Sequence, residues 1–294
     1  MITTRTLKCW IEAMRLRTLP VSAAGVVAAC GYALHDGCFD PAPAGICLIF
    51  AILAQIASNF ANEYYDFTGG LDRAGRDGPR RGVTEGDITP RAMLRATYIT
   101  LGIACATGLS LVAWGGWWLV IAGIFIVLAA LAYSTGPYPL SHHGLGEVMV
   151  IIFFGLVPVT LCYYVQSRTC TAAVVMGAIG IGLMASNLLI VNNYRDRDDD
   201  LAVGKRTLCV VLGRRAMRAA YLLNAVIAVA LSLPVWLTMP AAARVIPVAY
   251  LAAAVALRRM LGRRSGSALN PLLGMTAMSM LAYALAFAIA AAIS

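Results

Sequence analysis

Two clusters of carboxylate and amide side chains are the part of the sequence best suited to chemistry. The first holds Asn62, Glu63 and Asp66, and Asp72 follows after a Gly-Gly pair. Residues three or four apart on a helix share one face, so the first three side chains stack together. The glycines allow the chain to turn, and Asp72 can then fold back toward that face.

The second cluster places Asn192, Asp196 and Asp200 at intervals of four residues, again along one helical face. Both clusters therefore begin with an Asn four residues before an Asp. Asp198 and Asp199, and also Glu63 in the first cluster, can alternatively be solvent-exposed acids with no binding role.

Both clusters close an apolar stretch, where grouped acids need a counter-charge. Aligned carboxylates repel one another, burial near a membrane adds a desolvation cost, and the C-terminal end of a helix favours cations. Oxygen ligands without His or Cys favour Mg²⁺, which completes its coordination with water and phosphate oxygens. The pattern predicts two or more Mg²⁺ ions that hold a diphosphate between facing clusters. Capping residues at helix ends are the alternative.

Basic residues follow each cluster closely. Arg76, Arg80 and Arg81 lie in a Gly- and Pro-containing loop after the first, and Lys205 and Arg206 follow the second. Guanidinium groups bind phosphate oxygens through forked donors, so these residues are candidate diphosphate ligands. A lipid-headgroup patch or a membrane-orientation signal remains open for each single Arg.

The loop before Glu147 contains Tyr138, His142 and His143 and no Lys or Arg. Glu147 begins an apolar stretch, and the start of a helix favours an acid. Glu147 and the two histidines are therefore candidates for a role in the chemistry. A simple helix-start role is the alternative for Glu147, and simple surface exposure is the alternative for the histidines.

The composition requires a membrane setting for these residues. Of 294 residues, 60% are hydrophobic and only 13% are charged, whereas soluble domains carry about 25% charged residues. A spanning helix needs about 20 mostly apolar residues, so we expect an all-α polytopic membrane protein with a single domain over residues 1–294. Nine stretches qualify, near residues 18–34, 44–66, 93–113, 116–134, 147–165, 172–194, 217–238, 242–261 and 269–293.

The distribution of charge predicts the orientation. All but two of the 23 Lys and Arg residues fall on one side of this nine-span arrangement, the exceptions being Arg168 and Arg244. The positive-inside rule therefore predicts a cytoplasmic N-terminus and an external C-terminus in the cell membrane. The basic, amphipathic segment 5–17 is suited to the membrane surface. The net charge of +9 thus reflects orientation and does not indicate nucleic-acid binding.

The eight cysteines form no Cys-x-x-Cys pair, and most fall in apolar stretches. We expect them to be structural.

The two clusters, Asn62-Glu-Tyr-Tyr-Asp66 and Asn192-Asn-Tyr-Arg-Asp196-Arg-Asp-Asp-Asp200, resemble the Asp-rich motifs of the UbiA superfamily of intramembrane prenyltransferases. Further stretches resemble, more narrowly, the 1,4-dihydroxy-2-naphthoate polyprenyltransferases of menaquinone synthesis; these are residues 78–82, 136–139, 144–147 with 153–155, and 193–207. The sequence departs from the family pattern at Glu63, where Asp is usual, and at His143, where Lys is often found.

The resemblance implies a nine-helix bundle and a Mg²⁺-dependent reaction. A polyprenyl group would pass from its diphosphate to a ring carbon of 1,4-dihydroxy-2-naphthoate, with loss of the ring carboxylate as CO₂, to give demethylmenaquinone. The prenyl tail would lie between helices or open to membrane lipid.

The resemblance also implies roles for particular residues. Asp66 and Asp196 would be central to catalysis, with Tyr133, Tyr138 and Glu147 on the acceptor side. The diphosphate would be bound by Asn62, Arg76, Arg80, Arg81, Asn192, Lys205 and Arg206. The metal ligands would be Asn62, Asp66, Asp72, Asn192, Asp196 and Asp200.

Two alternatives remain open. Another member of the superfamily would use 4-hydroxybenzoate, homogentisate, haem or a lipid as acceptor. A divalent-cation transporter is a different class, but it would place its acids near the middle of the bilayer on broken helices. Here the acids fall at the ends of apolar stretches.

Overall fold

The computed structural model describes residues 4–72, 80–134 and 140–294, and these ranges are helical with short connections. In chain order the main helices are α1 (Thr4–Met14), α2 (Leu19–His35), α3 (Pro41–Thr68), α4 (Pro90–Ser110), α5 (Trp118–Ser134), α6 (Gly146–Ser167), α7 (Ala172–Ala202), α8 (Leu208–Thr238), α9 (Val245–Arg263) and α10 (Asn270–Ala292).

Each of the nine predicted apolar stretches lies in one of the helices α2 to α10. Within the described ranges, eight helices are long and apolar enough to cross a membrane. The exception is α5, which has 17 residues and is about 26 Å long at 1.5 Å per residue, somewhat short of a hydrocarbon core of about 30 Å. The all-α prediction is confirmed, and the count of nine differs only in the short α5.

Polar side chains fix the starts of several helices. Asp40 accepts a hydrogen bond from the Ala42 amide at the start of α3, and Thr89 accepts one from Ala92 at the start of α4. Thr171 and Thr207 do the same for α7 and α8. These caps satisfy amide groups that the first helical turn leaves without partners. The polar connections thus set where each apolar helix begins.

Helix α1 packs against α3 through a small apolar cluster. Its Cys9 and Ala13 are buried against Phe60, while Leu7 and Ile11 on α1 remain exposed. This arrangement agrees with the surface-lying segment expected from its amphipathic sequence.

The turn after α1 is fixed by Asn59. This buried residue on α3 donates to the Met14 carbonyl at 2.9 Å and accepts from Gln55 at 3.1 Å. The bonds fasten the α1–α2 turn to α3 near the first acidic cluster.

Small residues allow α6 and α7 to approach closely. A Cβ atom built on Gly155 would lie 2.4 Å from the Gly182 Cα and 2.4 Å from the Ala178 carbonyl oxygen. Gly155 belongs to a π-helical segment, Ile152–Leu156, inside α6. Small residues at helix contacts are typical of membrane bundles, and π segments occur often at functional sites. The contact holds α6 against the helix that carries the second acidic cluster.

We expect Gly155→Ala to lower the free energy of unfolding of the purified protein by about 1–3 kcal/mol, and thus its melting temperature, because the added methyl would press on the α7 backbone. A melting curve in detergent measures this. Gly102→Ala is the matched control, since a Cβ at Gly102 meets nothing within 4 Å. A melting temperature for Gly155→Ala equal to that of the control would contradict the tight contact.

Candidate functional site

The end of α3 folds the first acidic cluster into a compact group. Gly70 takes a left-handed conformation at φ 69°, which reverses the chain after the helix. The amides of Leu71 and Asp72 then donate to the Asp66 carbonyl at 2.8 and 3.2 Å. The Asp72 side chain, only 1% exposed, thus returns toward α3, as the Gly-Gly pair predicted.

Arg81 lies between the two carboxylates of this cluster. Its Nη2 is 3.3 Å from Asp66 Oδ2, and its Nε is 3.4 Å from Asp72 Oδ2. Its side chain is 7% exposed, and its Nη1 is buried with no hydrogen-bond partner among the described residues. A buried donor without a partner is costly. Within the described residues, Arg81 therefore has one donor nitrogen, Nη1, available for an anion beside the carboxylates.

Glu63 fixes the loop that carries Arg81. The side chain is completely buried, and its Oε1 accepts from the Val83 amide at 3.0 Å. Gly82 passes so close that a Cβ there would lie 3.4 Å from Glu63 Oε1. Glu63 thus binds the loop backbone, two residues beyond Arg81. The alternative that Glu63 is a solvent-exposed acid is therefore wrong.

The second cluster contains a cation that the sequence pattern did not single out. Arg195 binds both oxygens of Asp196, at 2.6 and 2.7 Å. The same guanidinium donates to Asn192 Oδ1 at 2.8 Å and to Asn270 Oδ1 on α10 at 2.9 Å. Arg195 is buried, so these charge-assisted bonds are strong and fix the orientation of Asn192 and Asp196.

Lys205 brings the two clusters together. Its Nζ lies 3.8 Å from Asp66 Oδ1 at the end of α3, and its amide donates to the Asp200 carbonyl at 2.9 Å at the end of α7. A residue that follows the second cluster in sequence therefore pairs with the first. Lys205 is thus the link that the structure shows between the two clusters, among the residues that it describes.

Glu147 lies beside the second cluster at the start of α6. It is 6% exposed, its Oε1 accepts from Asn193 at 3.1 Å, and its Oε2 is buried without a partner among the described residues. A Cβ atom on the adjacent Gly146 would lie 3.6 Å from the Tyr133 hydroxyl. The Tyr133 hydroxyl therefore lies close to the backbone at the start of α6, next to Glu147.

The loop before α6 contacts the loop after α7, because the Arg206 amide donates to the His142 carbonyl at 2.8 Å. Burial, together with the nearby positive charge of Lys205, lowers the pKa of His142 to about 4. His142 is therefore neutral at pH 7 and adds no positive charge to the site.

Some predicted site residues lie apart from this group. Arg80 pairs with Glu12 at 3.3 Å and with Asp87 rather than with the acidic clusters, although it also lines the cavity described below. The side chain of Arg206 is exposed. Asp198 is 69% exposed and pairs with Arg197 and Arg214, which agrees with the solvated alternative. Arg76 and Tyr138 lie outside the described residues.

A large cavity begins at the clusters and extends into the bundle. Its volume is about 1130 Å³, and its polar end is lined by Asn62, Tyr133 and Asn192. The wall comes mainly from α2 to α7 and is mostly apolar. Polar and charged side chains from α1, the loop before α4 and α10 also line it, including Glu12, Arg80 and Asn270. Along α3 the lining runs from Asn62 to Cys47, about 22 Å of helix at 1.5 Å per residue. The cavity can hold a long apolar chain with a charged group at one end.

Within the described ranges, no three His, Cys, Asp or Glu side chains form a closed metal cage. Mg²⁺ binds through one or two carboxylates and takes its other ligands from water and phosphate. Asp66, Asp196 and the amides of Asn62 and Asn192 carry oxygen ligands of that kind without closing a cage, and in this structure those of Asp196 and Asn192 also accept from Arg195. The donor set fits Mg²⁺ shared with a phosphorylated ligand better than a structural metal.

Relatives of the chain include the 1,4-dihydroxy-2-naphthoate octaprenyltransferase of Escherichia coli (strain K12). It is 38% identical over 233 residues, which cover 76% of this chain and 76% of that protein. The enzyme of the same name from Mycobacterium leprae (strain TN) is 34% identical over 292 residues, which cover 95% of this chain and 94% of that protein.

A UbiA homologue from Archaeoglobus fulgidus, solved bound to GPP and Mg²⁺, shares the fold with a TM-score of 0.69. It is 16% identical, and the alignment covers 96% of this chain and 99% of that one. The model of the UbiA prenyltransferase family matches residues 24–280. These matches and the helical bundle agree: the chain belongs to the UbiA prenyltransferase family.

Proposed function

We propose that this protein transfers a polyprenyl group from its diphosphate to 1,4-dihydroxy-2-naphthoate and releases the diphosphate, and the ring carboxylate as CO₂, giving the reduced, quinol form of demethylmenaquinone. The observation that carries the proposal is the meeting of two acidic clusters, through Lys205, at the polar end of a long apolar cavity. The names of the relatives support the naphthoate acceptor and a prenyl donor.

The chain's own cations would bind the diphosphate. Among the described residues, Arg81 has a buried donor without a partner beside Asp66 and Asp72, and Lys205 faces Asp66 from the second cluster. A forked guanidinium and an ammonium around one phosphate group bind it and stabilise the charge that grows as the C–O bond breaks. Arg81 and Lys205 are thus the main protein donors to the leaving group.

The acids would hold Mg²⁺. Asp66 and Asp72 at the end of α3, and Asp196 and Asp200 at the end of α7, would share this task with Asn62 and Asn192. When bound there, Mg²⁺ would neutralise the diphosphate as a Lewis acid. The Mg²⁺ and GPP in the Archaeoglobus fulgidus homologue support a divalent ion in this fold.

The acceptor would bind at the side where Tyr133 and Glu147 lie, and Tyr138 is a further candidate from the sequence alone. When the diphosphate leaves, an allylic cation remains, and the electron-rich naphthoate ring attacks it to form the new C–C bond. The apolar wall of the cavity excludes water, which would otherwise give a prenyl alcohol. Loss of CO₂ from the substituted carbon restores the aromatic ring.

We predict that the N-terminus is cytoplasmic and the C-terminus lies outside the cell membrane, because almost all Lys and Arg residues fall on the side of the acidic clusters. A reporter that is active only outside the cytoplasm, fused after Ser294, measures this and should be active. The same reporter fused after Leu201, beside the second cluster, is the control and should be silent. A silent reporter after Ser294 would contradict the orientation.

A direct assay tests the reaction. Purified protein in lipid would receive polyprenyl diphosphate, Mg²⁺ and naphthoate labelled with an isotope in its carboxyl group, and both labelled CO₂ and the prenylated product would be measured. EDTA should stop the reaction, and added Mg²⁺ should restore it. Turnover of 4-hydroxybenzoate or homogentisate in place of the naphthoate would overturn the assigned acceptor while leaving prenyl transfer intact.

A further inference from the structure

A second group of arginines lies at the same end of the bundle as the acidic clusters. Helix α8 begins there after α7 ends, and α9 ends there before α10 begins. The group comprises Arg215, Arg218, Arg258, Arg259, Arg263 and Arg264. None of these six pairs with a carboxylate in the part of the chain that the structure describes, whereas Arg81, Arg195 and Lys205 all do. The cations at the acidic clusters are therefore neutralised by carboxylates, whereas, among the described residues, these six arginines are not.

Two of the six are packed together where α8 and α9 cross. Arg258 Nε donates to the Arg218 carbonyl at 3.1 Å. The Arg218 guanidinium lies flat against α9 at Gly262, because a Cβ there would be 2.5 Å from Arg218 Nη1. Both side chains are partly buried, and Arg218 Nε is buried without a hydrogen-bond partner among the described residues. Arg215 is one turn from Arg218 on the same face of α8.

We name this feature the arginine crossing and define it by Arg215, Arg218 and Arg258. Three like charges beside one helix contact repel one another, and a partly buried donor without a partner adds a further cost. An anion with several oxygen acceptors relieves both. Membrane orientation alone requires positive charge on this side, but it does not require guanidinium groups packed into a helix crossing beside a glycine.

Apolar side chains adjoin the crossing along α8. Val211 and Leu212 precede it at 62% and 57% exposure, and Leu223 follows it at 58%. In a membrane bundle, exposed large apolar side chains face lipid tails. A ligand at the crossing would thus have its anionic part against arginine and its apolar part along α8.

We propose that the arginine crossing binds the headgroup phosphate of an anionic phospholipid from the surrounding bilayer. Basic pockets between membrane helices bind headgroups of this kind, and each Lys or Arg near a membrane surface favours anionic lipid. The forked donors of Arg218 and Arg258 suit a phosphate geometry.

The test measures binding of cardiolipin and of phosphatidylcholine to the delipidated full chain in detergent, by thermal shift and by native mass spectrometry. The variant is Arg218→Gln with Arg258→Gln. The matched control is Arg91→Gln with Arg95→Gln, which removes the same charge from exposed positions on α4. Inorganic phosphate and inorganic diphosphate are tested in parallel as soluble sources of the same chemistry.

We expect cardiolipin, but not phosphatidylcholine, to bind and stabilise the wild-type protein and the control. Binding to the variant should be weaker by roughly 100-fold or more, because each substitution removes a charge-assisted hydrogen bond to the phosphate. Equal loss in variant and control would overturn the proposal in favour of general charge attraction. Stabilisation by soluble phosphate alone would also overturn it.

If the Gln variant does not fold, Arg218→Lys with Arg258→Lys keeps the charge and loses the forks. We expect this pair to bind cardiolipin more weakly than wild type, and unchanged binding would contradict recognition by the crossing.

Discussion

Asp66→Ala and Asp196→Ala are each expected to lower prenyl-transfer turnover by at least ~100-fold, because each removes an oxygen ligand that stabilises the departing diphosphate. The loss of turnover in Asp66→Ala is increased by a second effect. Its carboxylate is the common partner of Arg81 and Lys205, so its removal leaves two cations without their counter-charge where the clusters meet. Steady-state kinetics at saturating naphthoate and Mg²⁺ measure the effect.

Asp198→Ala is the matched control for this prediction. Asp198 belongs to the same acidic run as Asp196, but it is 69% exposed and pairs only with Arg197 and Arg214 among the described residues. We expect near wild-type turnover, since exposed ion pairs contribute little. Melting curves of all three variants separate loss of chemistry from loss of fold. Full activity in Asp66→Ala or Asp196→Ala would refute the two-cluster site.

Arg81→Ala is expected to lower turnover by ~100-fold or more, and Arg81→Lys by roughly tenfold or more. Charge-assisted hydrogen bonds contribute about 1.5–3 kcal/mol each, and the alanine variant loses the fork together with the charge that separates Asp66 from Asp72. Lysine keeps the charge but cannot present two parallel donors. The KM for prenyl diphosphate should rise with the fall in turnover.

Arg263→Lys is the control for Arg81→Lys. Arg263 is exposed at the end of α9, and the same change there should leave the kinetics unaltered. Membrane insertion depends on charge and should be normal in both variants. Wild-type kinetics in Arg81→Lys over a range of prenyl diphosphate concentrations would make Arg81 an orientation signal and not a phosphate ligand.

Periodicity and local chemistry were enough to predict the helical bundle and the two clusters. Apolar stretches of about 20 residues fixed the number and order of the helices. The Gly-Gly pair after Asp66 allowed the return of Asp72, which Gly70 now performs with a positive φ. Such features depend on residues close in sequence, so one sequence contains the information.

Contacts between segments that are distant along the chain could not be predicted from the sequence. Arg195 directly precedes Asp196, and neighbouring residues on a helix do not face each other, so their pairing had no signal in the spacing. Its bond to Asn270 on α10 joins residues 75 positions apart. The link from Lys205 to Asp66 and the wall of the cavity likewise depend on how the helices pack. Sequence pattern thus located the ligands, and packing determined which cations they meet.

The π segment Ile152–Leu156 has a consequence for insertions and deletions. A π turn contains one more residue than the α-helical turn it replaces, so deleting one residue within it can restore α-helix and leave both halves of α6 in phase with their neighbours. Deleting one residue elsewhere in α6 would rotate one half by about 100°. Phe153 and Phe154 of this segment line the cavity. Removing or adding one residue in the π segment would therefore reshape the wall of the large cavity without altering how the helices are connected.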